Sequence, residues 1–368
     1  MSHGTRTRAD GRDLDLHDVA LLRLVAQRLV GPTAAGPLDA VRHLGAVQAQ
    51  DEKGALVSIA LRCGGTGESV LAAFEAGELA RSWPMRGTLH TVPAEDLPWM
   101  LELMTARPRA AAARRRPQLG LGEDDVVRAR DLAERALADG PLTRAELLAV
   151  WDDAGLASTG GRGYHLIAEL AQRGVLCLGP SAPGRPGESA FVLVAQHVPA
   201  PRRLDHEEAL AELALRFCTG HGPATAADLA RWSGLPLGEV RRGIAAVRDR
   251  LANVTVHGTE YLLAPGTLDA YATLRAEARR AVLLLPGFDE LVLGYADRSM
   301  TLPAAHAQRV VPGGNGVFRP TLVVDGRVVA VWRTAGSGRS RRLEVEPFEG
   351  ELDAAVLARA QEVWAALP

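Results

Sequence analysis

Two glutamines stand out as a pair that could do chemistry, Gln48 and Gln50 in the segment LGAVQAQ. Each carboxamide offers hydrogen-bond donors and acceptors but cannot ionise, so two converging carboxamides could hold a water molecule. The sequence predicts that this segment ends a helix, and residues two apart on a regular helix point to opposite sides. Convergence therefore requires the helix to stop here, which the following Asp-Glu-Lys-Gly permits. On spacing alone, the alternative of two ordinary surface glutamines stays open.

The composition of the 368-residue chain is that of an ordinary globular protein, with 47% hydrophobic and 23% charged residues. Its length accommodates two or three domains. Three widely spaced cysteines without a CxxC pair indicate a reducing compartment and no disulfides. Because His and Cys do not cluster at metal-ligand spacing, we predict no metal and no cofactor. The polar N-terminus and the interrupted apolar runs predict neither a signal peptide nor a membrane span, so we expect a soluble, cytoplasmic protein and a monomer by default.

The formal net charge is −2, which by itself does not favour a nucleic-acid partner. Net charge is a sum over the whole chain, however, whereas DNA meets a local surface. Lys53 is the sole lysine among the 42 Lys and Arg residues, so the excess of arginine reflects a compositional bias. The position of each arginine therefore carries more information than the number of arginines.

An internal repeat organises the middle of the chain. Gly-Pro-x-Thr occurs at residues 140–143 and again at 222–225, and an acid follows each threonine by three residues, Glu146 and Asp228. Such a pair of threonine and acid is typical of a helix N-cap. In each copy the sequence predicts three helices followed by two strands. Three helices and a two-stranded wing make the winged-helix variant of the helix-turn-helix.

A looser third copy is predicted at the N-terminus, with helices at residues 17–30, 38–47 and 69–82 and a strand at 88–92. Beyond about residue 270 the pattern changes to several strands with an Asp325-Gly326 hairpin turn, and a final helix is predicted at 353–366. The predicted fold class is α+β, with three tandem winged-helix units and a C-terminal β-rich region. The predicted domains are winged helix 1 at 1–106, a basic linker at 107–122, winged helix 2 at 123–200, winged helix 3 at 201–268 and a β-rich domain at 269–368.

Several arginines lie where they could contact a DNA backbone. Residues 107–116 carry five arginines and no acid, Arg114 and Arg115 among them, and form either a phosphate-binding arm or a solvated linker. Arg162 lies in Gly-Gly-Arg-Gly at a predicted helix start, which is either a phosphate site or a flexible loop. The tip between two predicted strands is either a groove-inserting hairpin or an ordinary turn. Its arginines are Arg339, Arg341 and Arg342.

Longer segments resemble the AlkZ/YcaQ family of winged-helix DNA glycosylases over nearly the whole chain. They are VQAQ at 47–50, RSWPMRGTLHTVP at 81–93, LLPGFDELVLGYADRS at 284–299 and VFRPTLVVDGRVVAVWR at 317–333. The resemblance implies three tandem winged helices and a C-terminal β-barrel that form a concave DNA channel. The family's catalytic motif, Gln, an apolar residue, then Gln or Asp, matches Gln48, Ala49 and Gln50. This is the Gln-Gln form of AlkZ-like members, whereas the YcaQ branch has Asp at the second position.

The resemblance also implies an activity, the unhooking of interstrand cross-links and the excision of N7-alkylated guanines from double-stranded DNA. In a producer of genotoxic compounds this activity would give self-resistance. Alkylation at N7 makes the base a cationic leaving group, so the enzyme needs no strong general acid. The two amides would orient a water at C1′ and stabilise an oxocarbenium-like sugar. No lysine is suitably placed for a Schiff base, so we expect a monofunctional hydrolase.

Four further residues take their expected roles from the same segments. Arg86 and His90 continue the family pattern into the first wing and are expected near DNA, where His90 either assists at the lesion or is a satisfied structural histidine. Asp289 and Asp297 are expected to be scaffold residues of the β-rich region. The alternative to a glycosylase is a noncatalytic winged-helix regulator or lesion-binding protein.

Overall fold

The computed structural model describes residues 8–9, 12–314 and 316–368, and the side chain of Arg339, predicted to contact DNA, lies outside the described part. Two compact units are formed, one by Met1–Gly67 with Leu210–Pro368 and the other by Glu68–Ala209. Residues 1–106, predicted as one domain, thus contribute to both units. The first unit is therefore built from two separate stretches of the chain, whereas the sequence analysis predicted domains that follow one another along the chain.

The N-terminal part of the first unit differs from the predicted pattern around the glutamine pair. Its elements are β1 (Arg8–Ala9), β2 (Arg12–Asp13), α1 (Leu16–Ala26), α2 (Pro37–Leu44), β3 (Val47–Gln48) and α3 (Glu52–Cys63). The second predicted helix ends three residues early because Gly45 follows it with φ +83°, a conformation that favours glycine. Helix α3, which the sequence analysis did not predict, begins directly after Asp51, whose side chain caps it by accepting from the N–H of Gly54 at 3.1 Å.

The second unit contains a run of helices between two hairpins. Its elements are α4 (Gly67–Glu75), β4 (Leu79–Met85), β5 (Thr88–Pro93), α5 (Leu97–Met104), α6 (Ala106–Arg115), α7 (Glu123–Ala138), α8 (Arg144–Asp153), α9 (Arg162–Gln172), β6 (Leu176–Ala182), β7 (Arg185–Leu193) and α10 (Val194–His197). Strands β4 and β6 pair antiparallel, which gives the order β5-β4-β6-β7 within this unit. The helix predicted at 69–82 ends at Glu75, and its last residues belong to β4 instead, whose residues are all buried.

The predicted basic linker at 107–122 is not a linker. It forms α6 and a short 3-10 turn, Arg116–Leu119. Four consecutive alanines and the arginines around them are strong helix formers, so the local sequence favours this helix. The prediction from charge alone was therefore wrong about the conformation of this segment.

Two segments have the predicted order of three helices and an antiparallel hairpin. The first repeat comprises α7, α8, α9, β6 and β7. The second repeat comprises α11 (His206–His221), α12 (Ala226–Ser233), α13 (Leu237–Ala246), β8 (Ala252–Val256) and β9 (Thr259–Leu263). Both predicted capping boxes form, since Thr143 caps α8 with Glu146 and Thr225 caps α12 with Asp228. Each repeat buries a tryptophan of its second helix, Trp151 in the first and Trp232 in the second.

The C-terminal region is an open sheet and not the predicted β-barrel-like region. Its elements are α14 (Pro265–Arg280), β10 (Val282–Leu285), α15 (Glu290–Leu293), α16 (Ala307–Val310), β11 (Thr321–Val324), β12 (Arg327–Ala335), β13 (Arg342–Pro347) and α17 (Ala354–Ala365). The four strands pair antiparallel in the order β10-β11-β12-β13, with the predicted Asp325-Gly326 turn between β11 and β12. Closure would need more strands than four. Helix α17 covers the sheet instead, with Ala360 and Trp364 packed beside Leu284.

Candidate active site

Gln48 ends the short strand β3 and Gln50 lies in the bend just after it, so the pair does not lie at a helix end as predicted. Helix α2 stops at Leu44, the chain turns at Gly45 and runs through β3, and Asp51 caps α3. Because the helix has already ended, the opposite-facing geometry of a helix does not apply to the two amides, and their side chains can meet.

The two carboxamides are hydrogen-bonded to each other. Nε2 of Gln48 donates to Oε1 of Gln50 at 2.6 Å, and the backbone N–H of Gln50 donates to Oε1 of Gln48 at 3.1 Å. Gln48 is 3% exposed, whereas Gln50 is exposed. Ala49 between them is buried, so the small middle residue of the motif packs inward. The pair thus presents neutral amide donors and acceptors at the surface of this unit, with Gln48 fixed from behind.

A buried carboxylate holds the backbone of this strand. Oε1 of Glu290 accepts from the N–H of Gln48 at 3.0 Å. Oε2 of the same carboxylate accepts from Nε1 of Trp232 at 2.9 Å and lies 3.3 Å from Nε2 of His221. None of these three side chains is more than 1% exposed. Helices α11, α12 and α15 therefore meet directly behind Gln48.

A second buried acid fixes helix α3, which follows the pair. The Arg62 guanidinium donates to both oxygens of Asp289 at 2.9 Å, and Ser58 donates its hydroxyl to the same carboxylate at 2.7 Å. Arg62 also donates to Gln27 at 2.6 Å, and Gln27 donates to the Tyr295 hydroxyl at 3.0 Å. Burial raises the pKa of Tyr295 above the range of an ordinary tyrosine, so its hydroxyl stays protonated. Asp289, predicted as a scaffold residue, thus connects the segment that follows β10 to α3.

The comparisons with known proteins identify the family of the chain. A family model described as "DNA glycosylase AlkZ-like" matches residues 41–367, a range that includes both glutamines. The chain belongs to the AlkZ-like DNA glycosylase family. This AlkZ-like protein is therefore a DNA glycosylase, which favours the enzyme over the noncatalytic regulator.

Two similar proteins come from Streptomyces sahachiroi. One, named an interstrand DNA cross-link repair glycosylase, is 30% identical over 375 residues that cover 93% of this chain and 95% of that protein. The other is the solved structure of DNA glycosylase AlkZ, which matches with a TM-score of 0.74 and 26% identity, covering 96% of this chain and 98% of that one. The mixed α/β fold of this AlkZ-like glycosylase is accordingly that of AlkZ.

Arg86 and His90 lie in the β4–β5 hairpin of the second unit. The His90 ring is fully buried, with Nδ1 2.9 Å from the carbonyl oxygen of Thr88 and Nε2 3.1 Å from the Arg86 guanidinium. Both ring nitrogens therefore have partners inside the hairpin. Of the two roles that the sequence left open, this favours the structural histidine.

The other predicted DNA-contacting arginines differ in how they are held. Arg114 and Arg115 are exposed on α6, and Arg115 bonds Gln118. Arg162 instead donates to the backbone carbonyls of Ala157, Leu119 and Gly120 at 2.6–2.8 Å. These three bonds engage three of the five N–H donors of its guanidinium within the protein.

The β12–β13 hairpin carries the last of the predicted arginines. Arg341 lies over the Trp364 ring at 5.7 Å, and Arg342 pairs with Glu344 at 2.7 Å. Both arginines are exposed. Asp297, the other predicted scaffold acid, accepts from the N–H of Ser299 at 2.9 Å, a bond that lowers the pKa of its carboxyl.

Two further findings concern the described residues alone. They bring no three His, Cys, Asp or Glu side chains together as metal ligands. Every helix described is too short or too polar to cross a bilayer.

Sequence reasoning missed the residues that support Gln48. Glu290, Trp232 and His221 are separated from it by between 173 and 242 residues, so spacing along the chain gives no sign of the contact. The available signal was indirect, since Glu290 lies in the segment LLPGFDELVLGYADRS that carries the family resemblance. Two adjacent acids inside an otherwise apolar segment could have marked it as a buried polar site.

Proposed function

We propose that Gln48 and Gln50 are the catalytic pair of this glycosylase and that its substrates are bulky or cross-linked N7-alkylpurines in double-stranded DNA. The observation that carries the proposal is the hydrogen bond between the two carboxamides, with Gln48 buried and Gln50 exposed. The name of the Streptomyces relative supports the class of substrate. Self-resistance to a genotoxic natural product is the biological role that fits this substrate.

The chemistry suits a pair of neutral amides. An N7-alkylated purine carries a positive charge, so it leaves as a neutral base without being protonated. What remains is a sugar with oxocarbenium character, to which a water molecule must add at C1′. An amide oxygen that accepts a hydrogen bond from this water turns a lone pair of the water toward C1′. The negative ends of the fixed amide dipoles stabilise the positive charge that develops on the sugar. The proton released on addition passes to solvent.

The bond between the amides fixes their orientation before substrate arrives. Because Gln48 spends one Nε2 hydrogen and one lone pair on Gln50, its rotamer is set. The amide nitrogen of Gln50 and the remaining lone pairs are left for water and sugar. A preorganised pair loses less conformational entropy in the transition state than two free glutamine side chains would.

The finer features of the fold belong to the same proposal. Each three-helix repeat with its hairpin would act as a winged helix on DNA, with a third and looser unit at the N-terminus. Arg114, Arg115, Arg341 and Arg342 would contact phosphates, and the enzyme would act in the cytoplasm as a monomer, without lyase chemistry.

The test is release of a modified base. Duplex DNA with a single N7-alkylguanine is incubated with the wild type and with the Gln48→Ala/Gln50→Ala variant, and the free base is quantified by mass spectrometry. We expect the variant to lose at least about 100-fold in single-turnover rate, the order of loss for a misplaced reacting group. Borohydride added to the wild-type reaction should trap no protein–DNA adduct.

A matched control uses two exposed glutamines elsewhere, Gln196→Ala/Gln361→Ala. This variant should release base at the wild-type rate. Equal rates for all three proteins would rule out the catalytic pair, and DNA binding without any base release by the wild type would contradict the substrate class.

A further inference from the structure

Glu290 gathers hydrogen-bond donors from three separate elements. They are the backbone N–H of Gln48 in β3, the indole N–H of Trp232 in α12 and Nε2 of His221 in α11. Glu290 itself begins α15 and is completely buried. A buried carboxylate is costly unless its oxygens are satisfied, so this arrangement is specific to an acid at this place.

The choice of carboxylate over amide follows from the donors around it. A carboxylate accepts at both oxygens, whereas a glutamine at the same place has a single accepting oxygen and an NH₂ group. Two donors, Trp232 and His221, surround Oε2, and one, the N–H of Gln48, faces Oε1. The single oxygen of an amide would accept from Trp232 and His221, the two donors on one side. Its NH₂ group would then face the N–H of Gln48, where no acceptor is left.

The surrounding fold is shaped to let His221 reach this carboxylate. The ring stacks on Phe217 with centroids 4.6 Å apart. A Cβ on Gly294 would lie 2.7 Å from the ring carbon Cδ2 and 2.7 Å from the carbonyl oxygen of Glu290, closer than real Cβ atoms come. Glycine at 294 therefore leaves the space that the ring occupies. The Tyr295 hydroxyl also donates to the carbonyl oxygen of His221 at 2.8 Å, which fixes the end of α11.

We propose that Glu290 is the positioning residue of the catalytic pair. By holding the N–H of Gln48 it fixes the backbone from which the Gln48 side chain bonds both the amide and the N–H of Gln50. The role rests on the proposed function of that pair. Glu290 is buried beneath the strand, so it acts on the reaction through Gln48 and does not contact DNA or the reacting atoms.

Two variants test this role in the full chain. Glu290→Gln turns an NH₂ group toward Gln48, and Glu290→Leu removes both accepting oxygens at a similar volume. We expect both to lower the single-turnover rate of base release by about 10- to 100-fold, the range found when a supporting residue of a site is lost. The dissociation constant for lesion DNA should stay within about twofold, since a tenfold change would require about 1.4 kcal/mol of lost binding.

A readout independent of activity is hydrogen exchange of the peptide that contains Gln48. Loss of its acceptor should speed exchange there in both variants, measured by mass spectrometry against the rest of the chain. Should the leucine variant fail to fold, Glu290→Gln decides. A folded Glu290 variant with a rate within about threefold of the wild type would overturn the proposal.

Asp96→Asn is a matched control because it alters another fully buried carboxylate beside an indole. Asp96 accepts from Nε1 of Trp99 at 2.8 Å and from Arg202 at 2.7 Å, all within the second unit. We expect a lower melting temperature with an unchanged rate for the folded protein. An equal loss of rate in Asp96→Asn and Glu290→Gln would show a general effect of destabilisation and would overturn the positioning role.

The Gln48→Ala/Gln50→Ala variant, assayed alongside, separates two kinds of failure. If it keeps the wild-type rate, the catalytic pair is wrong whatever the Glu290 variants do, and the positioning role falls with it. If it is inactive while both Glu290 variants keep the wild-type rate, the pair stands and the positioning role alone is wrong.

Discussion

The two repeats share an order of elements but use their polar residues differently. In the first repeat, Trp151 donates to the carbonyl oxygen of Ala129 in its own unit, and Glu146 of the capping box is half-exposed and pairs with Arg185 of its own hairpin. In the second repeat, Trp232 donates to Glu290, the acid that holds Gln48. The capping acid Asp228 is buried there and accepts from the N–H of Ala296, outside the repeat.

This difference shows how one supersecondary unit can take two roles. The first repeat satisfies its tryptophan and its capping acid within itself. In the second repeat, the tryptophan and the capping acid instead bond residues of the segment 289–296, which supports the site. A change in the second repeat should therefore reach catalysis and stability, whereas the matched change in the first should not.

The largest effect on stability is expected from the buried capping acid of the second repeat, Asp228. Asp228→Ala removes the carboxylate 3.8 Å from Arg23, whose side chain is fully buried, and leaves that charge without its partner. Breaking a buried pair in this way costs about 3–5 kcal/mol. We expect Asp228→Ala to lower the free energy of unfolding by that order in urea titrations followed by tryptophan fluorescence.

The matched change is Glu146→Ala in the first repeat. Its carboxylate is half-exposed, and water can replace the Thr143 and Arg185 contacts, so the free energy of unfolding should fall by no more than about 1 kcal/mol. Equal shifts for the two alanine variants would remove the proposed difference between the repeats.

Much of the fold follows from local sequence signals. Both capping boxes and the Asp325-Gly326 turn were predicted, because each depends on residues within four positions of one another. The place of Gln48 and Gln50 was predicted, but their backbone was not, since the short strand β3 has no periodicity of its own. A turn after Leu44 could have been inferred from Gly45, which the structure places at positive φ.

Long-range features were out of reach of the sequence. The N–H of Gln48 finds its acceptor 242 residues away, and a single sequence carries no record of such a pairing. The family resemblance implied a β-barrel-like region at the C-terminus, but α17 covers an open four-stranded sheet instead. Arg162 shows the same limit, because its three carbonyl partners come from loops that only folding brings together.

A smaller effect is expected from pH, because the two compact units contain buried groups that change stability over different pH ranges. Burial lowers the pKa of His43 in α2 to about 4, and its Nε2 lies 2.6 Å from the carbonyl oxygen of Ala26. The unfolded chain takes up this proton near pH 6.5 while the folded chain does not, so stability should fall as pH drops from about 6.5 to about 4. The loss over this window amounts to at most ~3 kcal/mol. His43→Gln, which keeps a donor, should flatten this slope.

The corresponding group near the first repeat is Glu169 in α9. Burial raises its pKa, but the hydrogen bond from Arg173 and the charges of Arg116 and Arg109 outweigh burial and lower it overall. A carboxylate with a lowered pKa contributes stability above its ordinary value of 4.5 that is lost as pH falls through the folded pKa. Glu169→Gln should therefore change the pH profile of unfolding only below about pH 4.5. If the stability of His43→Gln still falls between about pH 6.5 and about pH 4, the pH dependence in that range does not come from His43.

The smallest effect concerns the exposed arginines beside the first repeat. If Arg114 and Arg115 each neutralise a phosphate, the alanine double variant should lower the slope of log binding constant against log salt by about 2. Binding to lesion and undamaged duplex should weaken equally, because phosphate contacts carry no sequence or lesion information. Fluorescence anisotropy between 50 and 300 mM salt measures both, with about 0.9 expected per contact.

Arg162→Ala is the matched control, since three of the five N–H donors of its guanidinium already bond the carbonyls of Ala157, Leu119 and Gly120. It should leave the salt slope unchanged and lower thermal stability instead, because three carbonyls lose their donor. A reduced slope in Arg162→Ala with an unchanged slope in the Arg114/Arg115 variant would reverse the assignment. The first repeat would then meet DNA through the start of its third helix and not through α6.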